Sequence, residues 1–451
     1  MRDIASFIAL NRFGMGAGPE DGARPGDDPR GWLKAQIRPL APIPGDFRPS
    51  EAIIADIFTA RLDRPNRQAE AVRAAIRDDF RPSVRARTAR AIATARPLPE
   101  RMAHFWSNHF TVSTTRRVTA AAIPAYEREA IRPHVFGRFA DMLKAVVRHP
   151  CMLTYLDNIA SMGPDSPAGR TRRANRGVET TLNENLAREI LELHTLGVDG
   201  GYDQEDVIQL ALALTGWSHG GLRRGGEGDE VHGRFQFFRR QHQPGAKTVL
   251  GRRYDEAGAD EGLAILDDLA RHPATARHLA TKLVRHFVAD DPPAADVDHI
   301  ARVFQDSDGD LAEVTRALID LPSAWAEPLA KVKTHYEFII AVHRAIGPEA
   351  PRARDLFRPL RMMGNEPFTA PSPQGWGDRA GDWISPEALM LRLEWAQQYA
   401  AGVPGGYVPR ELLQATIGPV ARQVTETWLL RAPSGDQALT LLFGSPEFQR
   451  R

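Results

Sequence analysis

The 451-residue chain contains one cysteine, Cys151. A lone thiol excludes an intramolecular disulfide, a cysteine-built zinc site and an iron–sulfur cluster. Cys151 follows Pro150 and precedes Met152 and Leu153, a setting that suits a buried structural thiol. Lysine is almost as scarce: Lys34, Lys144, Lys247, Lys282, Lys331 and Lys333 are the whole set, and arginine carries the remaining positive charge. No run of eighteen apolar residues occurs, which predicts no transmembrane helix. The apolar run 4–10 is short, carries Asp3 where an export signal has cations, and lacks a small-residue cleavage site after it. The cytoplasm is therefore the expected compartment. An excess of one charge is also missing: 58 basic side chains face 57 acidic ones, giving no overall field for nucleic acid or a membrane. No P-loop, dinucleotide glycine fingerprint or Gly-x-Ser-x-Gly elbow is present, so no motif requires a cofactor.

What is present is helical periodicity. Hydrophobic residues make up 42% and charged residues 25%, the balance of an ordinary folded protein. Apolar spacing near 3.6, with Pro at first turns and Asp, Ser or Thr before them, predicts helices over 30–37, 51–61, 84–95, 100–110, 138–148, 181–196, 203–214, 255–271, 274–287, 294–306, 311–321, 336–346 and 386–401. The fold class is mainly all-α, a multi-helix bundle. Alternation over 234–240, the turn Gln243-Pro244-Gly245 and the run 247–250 add one small β-hairpin near 234–250. Two punctuated loops, 163–177 and 366–382, are long enough to act as covers or binding loops, or to be plain excursions. A single domain over 1–451 is expected, with a soft subdivision into 1–221 and 230–451 where glycine and charge thicken.

The most informative stretch is the helix–turn–helix at 181–217. Thr181 and Glu184 have capping-box spacing, and Asp203 caps the second helix. On a helical wheel Glu184, Asn185, Arg188, Glu189 and Glu192 share one polar arc, and His194 falls on the apolar side. Two readings are open for the arc: i,i+4 ion pairs in solvent, or the lining of a cleft in which crowded carboxylates take raised pKa values suited to general acid work. Around His104-Phe105-Trp106-Ser107-Asn108-His109-Phe110, helix spacing places His104 beside Asn108 and turns His109 away, which is not a two-histidine metal grip. His242 and Lys247 flank the Pro-Gly turn, where they could hold an anion or a carboxylate. The run Asp306-Ser307-Asp308-Gly309-Asp310 fails the calcium-loop pattern and reads as a turn and helix cap.

Six blocks together resemble a bacterial family of unknown function, DUF1800: HFWSNHF at 104–110, NENLAREILELHTLG at 183–197, and segments 206–217, 244–251, 282–293 and 374–383, the last reading QGWGDRAGDW. The blocks fall in the family's order and cover nearly the whole chain. The resemblance implies a predominantly helical fold and no established reaction. Its members are often exported and often encoded beside a second uncharacterised family with a sulfatase-like look, which implies a protein partner of that kind; the missing export signal is a departure. His194 stands where the family often has an aromatic residue, and His335 where it often has proline. At matching motif positions stand Asn108, His109, Asn183, Glu184, Arg188, Glu189, Glu192, Trp217, His242, Lys247, Trp376 and Trp383, and the resemblance implies a common cleft for them. Three readings follow. The first is a hydrolase or group transferase acting on a saccharide or other polyhydroxylated or anionic substrate. There Glu184, Glu189, Glu192 and His109 would be catalytic, and Arg188, Asn108, Asn183, His242, Lys247, Trp217, Trp376 and Trp383 would hold the substrate. The second is a non-catalytic partner or assembly factor. The third is a metalloprotein using His104, His109 or His242 with a glutamate, the metal being unknown.

Overall fold

The structure is a computed structural model that describes residues 3–451 apart from 20, 22–23, 64, 177–181, 221–232, 348–355 and 406. Helix dominates, with two small antiparallel sheets of two strands each among the described residues. The short apolar run near the start forms the helix Ile4–Asn11, capped by Asp3, with Phe7, Ile8, Ala9 and Leu10 wholly buried. An apolar segment hydrophobic on all faces is stable only inside a core. Among the described residues no helix is long and apolar enough to cross a membrane. Cys151 is buried, and burial pushes its thiol pKa well up.

One apolar core runs through the molecule and joins early and late segments of the chain. Its centre is the helix His335–Ile346, buried along its full length and started by a capping box in which Thr334 and Glu337 satisfy each other's backbone N–H groups. The helix Pro97–His109 lies near it, with Leu98, Met102, Phe105 and Trp106 buried. The helix Pro273–Phe287 packs along Ala294–Asp306, and Pro386–Ala401 packs against Gly435–Gly444. Asp310 caps the helix Leu311–Asp320, accepting from the backbone of Ala312 and Glu313, so the Asp-rich run serves as a turn and cap.

Three local predictions are refined. The small hairpin exists, but its strands are Lys247–Val249 and Arg252–Tyr254, turning at Leu250 and Gly251 with φ of 51° and 72°. Paired positive φ values match the right-handed twist of a two-residue hairpin. Phe235–Phe237 pairs instead with Trp217–His219, because the 3₁₀ turn Arg239–Gln241 breaks the strand before Pro244. The loop expected at 163–177 holds the helix Pro167–Arg176, started by Ser166, whose hydroxyl accepts from Gly169 N–H at 3.0 Å. The helix expected at 181–196 begins at Asn185, runs to Glu189 and ends in the π-turn Ile190–His194. The proposed Thr181 cap and most of the soft boundary at 220–228 lie outside the described residues.

Candidate functional site

A cleft of about 580 Å³ opens between Pro97–His109, Pro273–Phe287, the start of His335–Ile346 and the loop 365–382. Helical spacing puts Arg101, His104, Phe105 and Asn108 on one face of the first helix. Lys282, Arg285 and His286 do the same on the second, and the loop supplies Trp376 and Asp378. The loop is clamped to the first helix by Asn108. Its Oδ1 accepts from Trp376 N–H at 2.7 Å, and its Nδ2 donates to Trp376 C=O at 3.0 Å. Gly375 makes the approach possible: at φ 83° a Cβ would lie 2.5 Å from the Asn108 carbonyl oxygen. Asn365 anchors the other end by accepting from Tyr336 N–H at 2.9 Å.

The charges in the walls are organised in two layers. Deeper lies Glu337, joined to Arg101 and Arg451, the latter at 3.2 Å. Burial would raise the Glu337 carboxyl, but the Arg451 and Arg101 charges hold it far below the usual carboxylate range. Arg87 is likewise tied to Glu127 at 2.8 Å and to the Tyr336 hydroxyl at 2.9 Å. Nearer the opening, His286 Nδ1 meets the Asp378 carboxylate at 3.0 and 3.2 Å. Lys331 donates to the Asp378 carbonyl at 2.6 Å and pairs with Asp290. Burial raises the Asp378 carboxyl, but the hydrogen bond from His286 and the charges of Lys331 and Arg451 more than offset it, so it stays ionised. His286 is lowered, chiefly by burial and against the pull of Asp378, so it is mainly neutral near pH 7. Its Nε2 has no hydrogen-bond partner among the described residues. Of the cleft-lining cations, Arg87, Arg101 and Arg379 are paired with Glu127, Glu337 and Asp291, and Lys282 and Arg285 have no carboxylate partner among the described residues; these two are the groups that would favour an anion.

Of the residues singled out from sequence, the cleft gathers His104, Asn108, His109 and Trp376. Trp383 stands behind, its ring 6.2 Å from that of Trp376 and its N–H donating to Gly377. His109 is buried, with Nε2 at 3.1 Å from the His194 carbonyl, and burial lowers its pKa well below the ordinary range. The remainder lie elsewhere. Glu184, Arg188 and Gln204 form a half-exposed ion-pair and amide cluster, with Arg188 at 3.1 Å from Glu184. Glu189 and Glu192 are half-buried beside them, and burial followed by the Glu192 charge raises Glu189. None of these five lines the cleft. Asn183 caps the helix locally, its Oδ1 accepting from Asn185 N–H at 2.9 Å. His242 and Lys247 do meet a carboxylate, but it is the protein's own Glu261, at 3.2 Å from each and wholly buried. Trp217 is wholly buried over Gly262, where a Cβ would sit 2.6 Å from its ring. Among the described residues no group of three or more His, Cys, Asp or Glu could hold a metal ion.

Sequence reasoning passed over Lys282, Arg285, His286 and Asp378, although the blocks 282–293 and 374–383 contain them. The i,i+4 spacing of Lys282 and His286 was the available signal. A mainly helical protein with a charged cleft between distant segments is the class that fold and site define. The family model described as "Protein of unknown function (DUF1800)" matches residues 8–450, and the chain belongs to that family. No curated protein and no solved structure matches it.

Proposed function

We propose that the chain is an enzyme, a hydrolase or group transferase, that carries out acid–base chemistry on a small anionic, polyhydroxylated substrate in the 580 Å³ cleft. The observation that carries this reading is the His286–Asp378 pair. A carboxylate bonded to Nδ1 fixes the ring's tautomer and orientation and leaves Nε2 to take up or deliver a proton. Arg285 supplies positive charge one residue away for the anionic end, and the half-buried Trp376 offers a flat face to a sugar-like ring. The catalytic role assigned from sequence to the glutamates thus moves to His286 and Asp378, with His109 as part of the wall.

The test combines binding and turnover. Sugar phosphates and sugar acids should raise the melting temperature, by about 2.7 kcal/mol of stabilisation at a hundredfold excess over Kd. Chromogenic phosphate, sulfate and glycoside esters then report turnover. His286→Gln should lower kcat by roughly 10²–10⁴-fold, the usual contribution of a positioned acid–base group, with little change in melting temperature. Undiminished turnover in that variant would remove the reading. A second reading, docking to a sulfatase-like protein partner, draws on exposed Trp428, Val424, Met390 and Leu441 on neighbouring C-terminal helices. It requires that Trp428→Glu abolish the complex with that partner; an intact complex would remove it.

A further inference from the structure

Lys282 takes no part in the acid–base step, and its surroundings are unlike those of any other lysine in the chain. Lys34 pairs with Asp320 at 2.7 Å, Lys144 with Asp267 at 2.9 Å, and Lys331 with Asp290. Lys247 is held by Glu261 and two carbonyls, and Lys333 donates to the carbonyls of Phe448 and Arg450 at 2.6 and 2.8 Å. Lys282 alone has neither an ion pair nor a hydrogen bond among the described residues, yet it lines the cleft. The charged groups that act on it are Asp378, which favours the ammonium, and Arg285, which opposes it. His109, His194 and His278 also surround it, all kept neutral by burial, and none offers a counter-charge. Burial brings its pKa down to about 8. Near pH 7 about a tenth of such a group is free amine, roughly two hundred times the fraction of an ordinary lysine.

An ammonium intended to grip an anion is normally left charged and hydrated or is paired. A cleft-lining amine with neither a counter-ion nor a hydrogen-bond partner among the described residues is suited to nucleophilic attack. Taking the cleft to be a substrate site, as proposed above, we infer that Lys282 condenses with the aldehyde or ketone of a small anionic substrate to form an imine. His286 lies one helical turn further on, on the same face. The Nζ lone pair forms a bond to the carbonyl carbon while the C=O π pair moves to oxygen. His286 Nε2 relays one N–H proton to that oxygen, giving a carbinolamine. The nitrogen lone pair then forms C=N as the C–O bond breaks, and the second N–H proton leaves with the oxygen. Amine and carbonyl yield imine and one water, with no oxidant or reductant. Arg285 holds the substrate's carboxylate or phosphate.

The experiment uses the full chain with glyoxylate, an aldehyde that carries a carboxylate, and cyanoborohydride to reduce any imine, followed by peptide mass spectrometry. The expected result is a carboxymethyl group on Lys282 at least tenfold in excess of that on the part-exposed, ion-paired Lys34 or Lys144. It should saturate with glyoxylate and be suppressed by glycolate, which has the charge without the aldehyde. Lys282→Arg should abolish it, and the comparison among lysines in the unsubstituted chain stands even if that variant folds poorly. Equal labelling of all accessible lysines, with glyoxylate still raising the melting temperature, would overturn the imine and leave the cleft reading in place. Absence of both labelling and stabilisation would overturn the two together.

Discussion

Asn108 uses both ends of its amide on one backbone unit, the N–H and C=O of Trp376, 268 residues away in sequence. Replacing it with Ala leaves two half-buried backbone groups to find other partners, a loss of about 1–3 kcal/mol. Asn108→Ala is therefore expected to lower the melting temperature by several degrees and to increase proteolysis within 366–382; an unchanged cleavage pattern would show the loop to be held by other contacts. Its helical position and its tie to His104 spacing were legible in the sequence. Its partner was not, because no local pattern points to a contact across most of the chain. His194 teaches the same lesson from the other side. The wheel placed it on the apolar face, and it is wholly buried with both ring nitrogens unpartnered among the described residues. His194→Phe, the aromatic type that the family resemblance suggests, should preserve or raise the melting temperature at pH 7. A loss of more than a few degrees would mean that the ring nitrogens have partners such as buried water.

At the scale of elements, the start of His335–Ile346 is where capping and electrostatics meet. Thr334 and Glu337 have capping-box spacing, but the second role of Glu337, between Arg101 and Arg451, depends on three segments far apart in the chain. Breaking a buried ion pair by removing one partner leaves uncompensated charge, at a cost of about 3–5 kcal/mol. Glu337→Gln keeps the shape and removes the charge, so denaturant unfolding should show a loss of that order. A loss below about 1 kcal/mol would mean that water screens the site. The carboxyl is depressed in the folded state, so its contribution is complete above the unfolded value near 4.3 and is lost as pH falls toward the folded value. The helix after Asn183 shows what element prediction leaves out. A π-turn over Ile190–His194 inserts a residue into the periodic pattern, shifting the wheel by about 100°. Glu184, Arg188, Glu189 and Glu192 are all part-exposed, and nothing local told whether such residues face a cleft or solvent.

Across the whole molecule, the cleft takes early residues from the helix Pro97–His109 and from Met15 and Arg87, and its remaining lining beyond Val112 from segments after 273, so both halves of the chain must be in place to form it. The helical class, several caps and the presence of a long punctuated loop at 366–382 could be read from periodicity and punctuation. The meeting of Lys282, His286 and Asp378 could not, since packing alone decides it. The same packing traps a set of histidines as neutral bases, and that has a consequence for the fold's pH range. Burial lowers His194 and His335 to about 3, and His219, His278 and His343 to about 4. In the unfolded chain each titrates near 6.5, so between the two values the unfolded state binds the extra protons and stability falls with falling pH. One such histidine alone loses about 2 kcal/mol by pH 5, so several acting together remove a large part of the roughly 5–15 kcal/mol margin of a folded domain. The depressed carboxylates of Glu337 and Asp378 add a loss of the same sign further down. The melting temperature should therefore be highest near neutrality and fall steeply below about pH 6.5, well before ordinary carboxylates titrate, with His194→Phe flattening that slope by about one proton. A melting temperature level down to pH 4.5 would show that these rings are protonated or hydrated inside the folded molecule.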